Sequence, residues 1–294
     1  MEHAFDQLKQ EWLTDENVAD GEFYHGLVAI DGFEGGQAAY NKPDALPRFT
    51  PVAISSLSHN ESATSGSRII AHEIGHNLSL YHAPCNVVDP STIDPDWPRT
   101  GAANGTYDNA GIGPDRGYRF SEMEFVAAGT EDAHDFMSYC LPGFVSAYSY
   151  DKLYTFLRLF DQHFDGEDSL SWMSSESPVL ASAAASGAGP DIERASLAIS
   201  GSVSEYGAWS IFAAEETPKP PWPGGGGNYT LMLLDGGGTP LAEISFDPVP
   251  LSHGNRQTWS VRIAMPQTAQ PTRVRVTDDQ GQAVLDAALE LEAD

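Results

Sequence analysis

The residues best suited to chemistry lie in one short segment, HEIGHNLSLYH, at positions 72–82. On an α-helix, His72 and His76 lie one turn apart on the same face, so both imidazoles can reach one metal ion. Glu73 leans over the same position. With 9 histidines and 19 glutamates in 294 residues, chance is expected to produce the full HExxHxxxxxH spacing roughly 0.0005 times. The segment therefore predicts a metal site carried by a helix.

His82 constrains where that helix ends. Six residues at about 100° each would place His82 some 240° round the helix from His76, facing away from the metal. We therefore expect the helix to end near Leu78 or Ser79 and the chain to turn back. Three neutral imidazoles on Zn²⁺ leave a fourth position for water, which a catalytic zinc requires. Two other interpretations stay open: three unrelated histidines on a helix, and a closed, non-catalytic metal site.

The spacing HExxHxxxxxH resembles the zinc signature of the metzincin metallopeptidases, and DFMSYC at 135–140 resembles their Met-turn. These two segments are similar in sequence to the reprolysin, astacin and serralysin branches and to bacterial secreted metalloproteases with a C-terminal β-sandwich domain. The resemblance implies a zinc-dependent endopeptidase that hydrolyses peptide bonds of proteins or glycoproteins. Glu73 would then be the general base that takes a proton from a zinc-activated water and passes it to the leaving amine.

The same resemblance gives roles to two residues of the Met-turn. Met137 is expected beneath the metal as an apolar floor that makes no bond to it. Tyr139 either binds zinc and swings to stabilise the tetrahedral intermediate, as in astacins and serralysins, or forms a wall of the pocket. The chain departs from the family at Ser79, where glycine usually allows a left-handed turn. A residue with a Cβ there costs on the order of 1 kcal/mol, and we expect the turn to survive.

The two cysteines are placed close to these motifs. Cys85 follows the third histidine of the signature, and Cys140 ends the Met-turn segment. We expect a disulfide that joins the two halves of the site and contributes roughly 4 kcal/mol in the chain-entropy model. A pair of buried free thiols is the alternative. Thiolate ligands are disfavoured because they would close a three-histidine zinc site.

A calcium site is a weaker possibility in the irregular region 83–130. Ca²⁺ takes oxygen ligands, and this region is rich in aspartate: Asp89, Asp94, Asp96, Asp108 and Asp115. No spacing among them matches a known calcium loop, so a solvated acidic loop is the favoured interpretation.

Several elements must position the site. Periodicity predicts a short amphipathic helix at 4–13, strands at 23–30, 35–40 and 49–56, the site helix from about Ser67, and a helix at 149–164. We expect the edge strand over the cleft to come from 49–56. Together these elements predict a metzincin-like catalytic domain over residues 1–173, with a twisted sheet and an active-site helix.

The C-terminal part has a different character. Residues 174–190 are mostly small and predict a linker. Residues 191–294 contain seven short alternating segments with turns between them, which predict an immunoglobulin- or fibronectin-like β-sandwich. The chain as a whole is therefore predicted to be α+β. The accessory domain is a spacer, a docking surface, or a binder of substrate or glycan, and fold alone does not choose among these.

The charge of the chain excludes several partners. It carries 42 acidic and 15 basic residues, for a net charge of −27. Nucleic acids and anionic lipids would repel a protein with this charge. No apolar run approaches the roughly 20 residues of a membrane span, and no signal peptide is present in this chain. With the disulfide, these features favour an extracellular or cell-envelope location. The rival hypothesis is a catalytically degenerate protein that binds zinc and acts in adhesion or binding.

Overall fold

The computed structural model describes residues 2–17, 21–29, 35–41, 50–56, 63–98, 110–113, 117–119, 123–126, 133–141, 143–164, 196–222, 226–252, 255–266, 269–289 and 291. The fold is mixed α+β, as predicted. The chain divides into two compact units. The first comprises Phe23–Ser169 and Leu251–Gly254, and the second comprises Glu2–Glu22, Leu170–Pro250 and Asn255–Asp294.

These units differ from the predicted domains in two segments far from the predicted linker. The N-terminal helix, placed by the sequence in the catalytic domain, belongs to the second unit, and Leu251–Gly254 belongs to the first. A boundary inferred from composition assumes that each unit is continuous along the chain, and here neither unit is. The predicted linker at 174–190 lies outside the described residues.

The first unit contains a three-stranded sheet. Its strands are β1 (Tyr24–Val28), β2 (Gly35–Ala38) and β3 (Val52–Ser56), in the order β1-β3-β2. β3 pairs in parallel with β1 and antiparallel with β2. The expectation that residues 49–56 form the edge strand over the cleft is wrong, because β3 is central and β2 lies at the edge. Alternation identifies a strand but not its neighbours.

The first unit also carries the helix of the histidine motif. This helix, residues Ala63–Asn77, is preceded along the chain by the N-terminal helix and is labelled α2. It ends as the spacing requires: the Leu80 amide donates to the Gly75 carbonyl at 3.0 Å, and the Ser79 amide donates to the His76 carbonyl at 3.0 Å. Ser79 has φ 72°. These two hydrogen bonds, with Ser79 in the left-handed conformation, form a Schellman motif at the end of the helix. The predicted turn therefore forms without glycine.

Short elements follow α2 in the first unit. A 3-10 turn at Pro90–Thr92 precedes four brief strands: β4 (Gly117–Arg119), β5 (Glu124–Val126), β6 (His134–Asp135) and β7 (Gly143–Phe144). β4 pairs with β5, and β6 pairs with β7. The helix α3 (Ala147–Phe164) comes next. A buried apolar cluster includes Leu80 of the histidine motif; its members are Leu80, Ala83, Trp97, Ala110 and Met137.

The second unit contains two four-stranded sheets, an arrangement compatible with the predicted sandwich. Every alternating segment has a counterpart among the strands, and one short strand is additional. The strands are β8 (Ser196–Val203), β9 (Trp209–Thr217), β10 (Tyr229–Leu234), β11 (Pro240–Phe246), β12 (Val249–Pro250), β13 (Gln257–Ala264), β14 (Arg273–Asp278) and β15 (Ala283–Ala288). Their orders are β11-β10-β14-β15 and β12-β13-β8-β9. Aromatic side chains of the two sheets meet, as where Phe246 and Trp259 lie 5.5 Å apart between ring centroids.

The N-terminal helix α1 (Glu2–Thr14) packs within this second unit, against β8 and β9. Its Trp12 is 1% exposed, and its Lys9 ammonium donates to the Gly201 carbonyl at 3.2 Å. The Lys219 ammonium donates to the Trp12 carbonyl at 2.7 Å. Among the described residues, no helix of the protein is both long enough and apolar enough to cross a membrane.

Candidate active site

The three motif histidines come together. Their ring centroids lie 4.7 Å apart for His72 and His76, 5.2 Å for His72 and His82, and 4.6 Å for His76 and His82. Each offers a ring nitrogen within 4.8 Å of the others, and all three side chains are buried. His72 and His76 share one face of α2, while the turn at Ser79 returns the chain so that His82 joins them.

Hydrogen bonds fix which nitrogen of each ring carries a lone pair. The Nδ1 of His72 contacts the Phe136 carbonyl at 3.0 Å, and that of His76 contacts the Leu80 carbonyl at 2.7 Å. A carbonyl only accepts, so Nδ1 carries the hydrogen and Nε2 keeps its lone pair. For His82, Nδ1 lies 2.8 Å from the Thr92 hydroxyl. That hydroxyl donates its own hydrogen to the Asp89 carbonyl, so it accepts from Nδ1 of His82, and Nε2 again keeps its lone pair. The donor set fits a divalent metal such as zinc.

Glu73 lies within a tightly packed part of the site. Its side chain is 1% exposed. A methyl group built on Gly36 of β2 would stand 2.6 Å from the Glu73 Cδ and Oε1, so the absence of a side chain there makes room for the carboxylate. The Ser252 hydroxyl donates to Glu73 Oε2 at 3.1 Å. Glycine in a strand often marks such a close approach.

The Met-turn residues are held by Asp135. Its carboxylate accepts from the Met137 amide at 2.8 Å and from the Ser146 amide at 3.0 Å. Burial raises the pKa of the Asp135 carboxyl, and the hydrogen bonds from Ser146 and Met137 oppose this shift. Met137 is fully buried and touches α2 at Gly75, where any side chain would overlap its sulfur. Gly75 therefore lets the Met-turn approach the histidine helix.

Tyr139 also lies at the site. Its hydroxyl is 3.0 Å from Nε2 of His82, and its ring stacks on that of His72 at 5.5 Å between centroids. Burial raises the pKa of the Tyr139 hydroxyl, and the charge of Glu73 raises it further. The hydroxyl is therefore a hydrogen-bond donor at neutral pH.

The predicted disulfide is confirmed. Cys85 and Cys140 are bonded, with their Cα atoms 5.8 Å apart and 55 residues of separation. The neighbouring backbone is paired as well, because the Ala83 amide donates to the Met137 carbonyl at 3.0 Å and the Tyr139 amide donates to the Cys85 carbonyl at 3.1 Å. The alternatives of free thiols and thiolate ligands are wrong. The segment after His82 is thus tied covalently to the Met-turn.

Two of the aspartates considered for calcium, Asp89 and Asp94, have other partners. Asp89 accepts from the amide and hydroxyl of Ser91. Asp94 is buried and accepts from the Tyr148 hydroxyl at 3.1 Å and from the Lys152 ammonium. In the described ranges, no cluster of three or more potential ligands includes a carboxylate. Asp108 and Asp115 lie outside those ranges.

Sequence reasoning missed several residues that shape the site. The side-chain Nδ2 of Asn77, one residue past His76, donates to the carbonyls of Ala39 and Val52 at 3.1 and 3.0 Å and so fixes α2 on the sheet. Gly36 left a weak signal, since glycine within a strand is uncommon. Ser252 left none, because 179 residues separate it from Glu73.

Comparison of the chain with protein-family models, with curated proteins and with solved structures found no match.

Proposed function

We propose that this protein is a secreted, zinc-dependent endopeptidase of metzincin type. The observation that carries the proposal is the convergence of three histidines, each with Nδ1 hydrogen-bonded so that Nε2 keeps its lone pair, beside a buried glutamate. A purely structural histidine cluster has no need to keep Nε2 unprotonated on all three rings. The disulfide and the net charge of −27 favour an extracellular or cell-envelope location.

His72, His76 and His82 would hold the zinc, and the buried Met137 would form the apolar floor of the site. Bound zinc would supply a Lewis acid that activates water and polarises the scissile carbonyl. Glu73 takes the proton of the attacking water on its carboxylate and passes it to the nitrogen of the leaving amine. The Tyr139 hydroxyl, kept protonated by its raised pKa, donates to the oxyanion that develops at the carbonyl.

One observation favours the rival hypothesis of a protein that binds zinc without cutting. Glu73 is only 1% exposed, and one of its oxygens accepts from Ser252. A base in this state does not meet water freely. An intact glutamate at this position nevertheless argues for catalysis, because a zinc-binding adhesion protein has no need of a proton acceptor there.

The test measures zinc content and protein cleavage together. Wild type, Glu73→Ala and the exposed-site control Glu205→Ala are compared for zinc per chain and for hydrolysis of casein, gelatin and a broad peptide library. We expect one zinc per chain in all three, and cleavage that falls at least 100-fold in Glu73→Ala alone. Cleavage sites identified by mass spectrometry would define the specificity.

If zinc binds and Glu73→Ala cleaves as fast as wild type, Glu73 is not the base and the proposed mechanism fails. Absence of stoichiometric zinc binding in wild type would contradict both the endopeptidase and its rival.

A further inference from the structure

A two-residue piece of the chain lies along the edge strand of the site. Leu251 and Ser252 belong to the first unit, although the strands β12 and β13 flank them in sequence. Leu251 forms an antiparallel bridge with Ala39, directly after β2. The Ser252 amide donates to the Ala38 carbonyl at 2.9 Å, and the Ser252 hydroxyl accepts from the Ala38 amide at 2.9 Å. Both polar groups of Ala38 are therefore satisfied by Ser252.

The same hydroxyl reaches the general base. Ser252 donates to Glu73 Oε2 at 3.1 Å, and Ser252 itself is fully buried. Gly36 of β2 covers the Cδ and Oε1 of Glu73. The carboxylate is thus enclosed by β2 on one side and approached by Ser252 on another. One oxygen of this carboxylate is therefore occupied by a hydrogen bond, and the group is shielded from water.

The outer edge of β2 is a surface for an extended peptide. An edge strand offers backbone N–H and C=O groups that pair with any extended chain. Leu251 and Ser252 use this capacity at Ala38 and Ala39. Because the pair is part of the same chain, it acts at an effective concentration on the order of a millimolar. Even weak pairing can therefore compete with a dissolved peptide.

We propose that Leu251 and Ser252 are an intramolecular blocker. They occupy the edge of β2 where a substrate peptide would pair, and they keep the Glu73 carboxylate from contact with water. The proposal rests on the endopeptidase function proposed above. It accounts for a complete set of catalytic residues around a base that is 1% exposed. Displacement of the two residues would expose Ala38, Ala39 and Glu73 together, so one movement would both open the peptide edge and release the base.

The experiment loosens the blocker in the full-length protein. Ser252→Asp sets a carboxylate against Glu73, and the two negative charges repel each other. A double variant, Leu251→Gly with Ser252→Gly, removes the hydroxyl and adds backbone freedom without adding charge. Ser204→Asp is the matched control, since Ser204 lies in a turn of the second unit where its hydroxyl accepts from the Ala208 amide at 3.1 Å.

Two readouts are measured. The first is binding of a fluorescent synthetic peptide with the sequence of residues 249–256 to the zinc-free proteins, followed by anisotropy. The second is the rate of casein cleavage by the zinc-loaded proteins. We expect both loosened variants to bind the peptide at least tenfold more tightly than wild type and Ser204→Asp, and to cleave at least tenfold faster.

The outcomes separate the blocker from the proposed function. Equal peptide binding by all four proteins would overturn the blocker. Slower cleavage by both loosened variants would also overturn it, since Ser252 would then be a positioning residue that helps Glu73. Tighter peptide binding with no cleavage by any protein would support the blocker and contradict the endopeptidase. If Ser252→Asp fails to fold, the double variant decides.

Discussion

The two units of the protein hold their backbones in place by different means. In the second unit, the described strands other than β12 have six to nine residues. Their hydrogen bonds run from strand to strand, and buried side chains add bonds to the backbone mainly at α1, through Lys9 and Lys219. In the first unit, the described strands have two to five residues, and single buried side chains complete the bonding. Asn77 fixes α2 on the sheet, and Asp135 closes the Met-turn.

This difference bears on function. A ladder of strand pairs distributes its stability over many equivalent bonds, so single changes have small effects on its shape. The first unit instead depends on a few contacts between residues far apart in sequence, such as the disulfide at Cys85 and Cys140. Such contacts can place side chains at the angles that a catalytic site needs, and the loss of any one is costly.

The largest difference in stability between the two units is expected when the disulfide is removed. Cys85→Ser with Cys140→Ser should lower the free energy of unfolding of the first unit by about 4 kcal/mol, because the unfolded chain is no longer constrained by a cross-link over 55 residues. Hydrogen exchange followed by mass spectrometry would report on residues 63–98 and on 196–217 separately. Equal acceleration of exchange in both segments would contradict the comparison.

An intermediate effect is expected from Lys9 in the second unit. Burial lowers the pKa of Lys9 from 10.5 to about 8. Between these values the unfolded chain keeps a proton that the folded unit has lost, so raising the pH favours folding. The free energy of unfolding of the second unit should rise by about 2 kcal/mol from pH 8 to pH 10 relative to Lys9→Met. Denaturant titrations of both proteins at the two pH values would measure it.

In that experiment, Lys9→Met is the control for the wild type, because tyrosines and other groups that titrate in the same pH range are present in both proteins. If the pH dependence of the two proteins is identical, the buried ammonium does not have the lowered pKa described here.

The smallest effect is expected at the helix ending. Ser79 has φ 72°, where a Cβ is unfavourable, so Ser79→Gly should raise the free energy of unfolding of the first unit by about 1 kcal/mol. The control is Ser67→Gly, at an exposed position within α2, which should lower it by about 0.5–1 kcal/mol. The denaturation midpoint, read from amides of residues 63–98, distinguishes the two. A loss of stability in Ser79→Gly would show that the hydroxyl has a role beyond the turn.

Much of the local structure could be predicted from the sequence. The strands at 24–28, 35–38 and 52–56 fall within the predicted segments, and α2 ends at Asn77, as the spacing of His82 requires. The disulfide was predicted from the placement of the cysteines beside two motifs. These features follow from local rules, since helix periodicity fixes which side chains share a face, and turns need particular residues.

The contacts between residues far apart in sequence that complete the site could not be predicted from local rules. The sequence by itself determined which residues could bind a metal and where their helix must stop, because helical geometry repeats every 3.6 residues. Only the tertiary structure decided that β2 is the edge strand, that α1 belongs with the second unit, and that Gly36 and Ser252 surround Glu73. The physical reason is that pairing between distant segments depends on how loops close, and a closed loop leaves no periodic trace in the residues that it brings together.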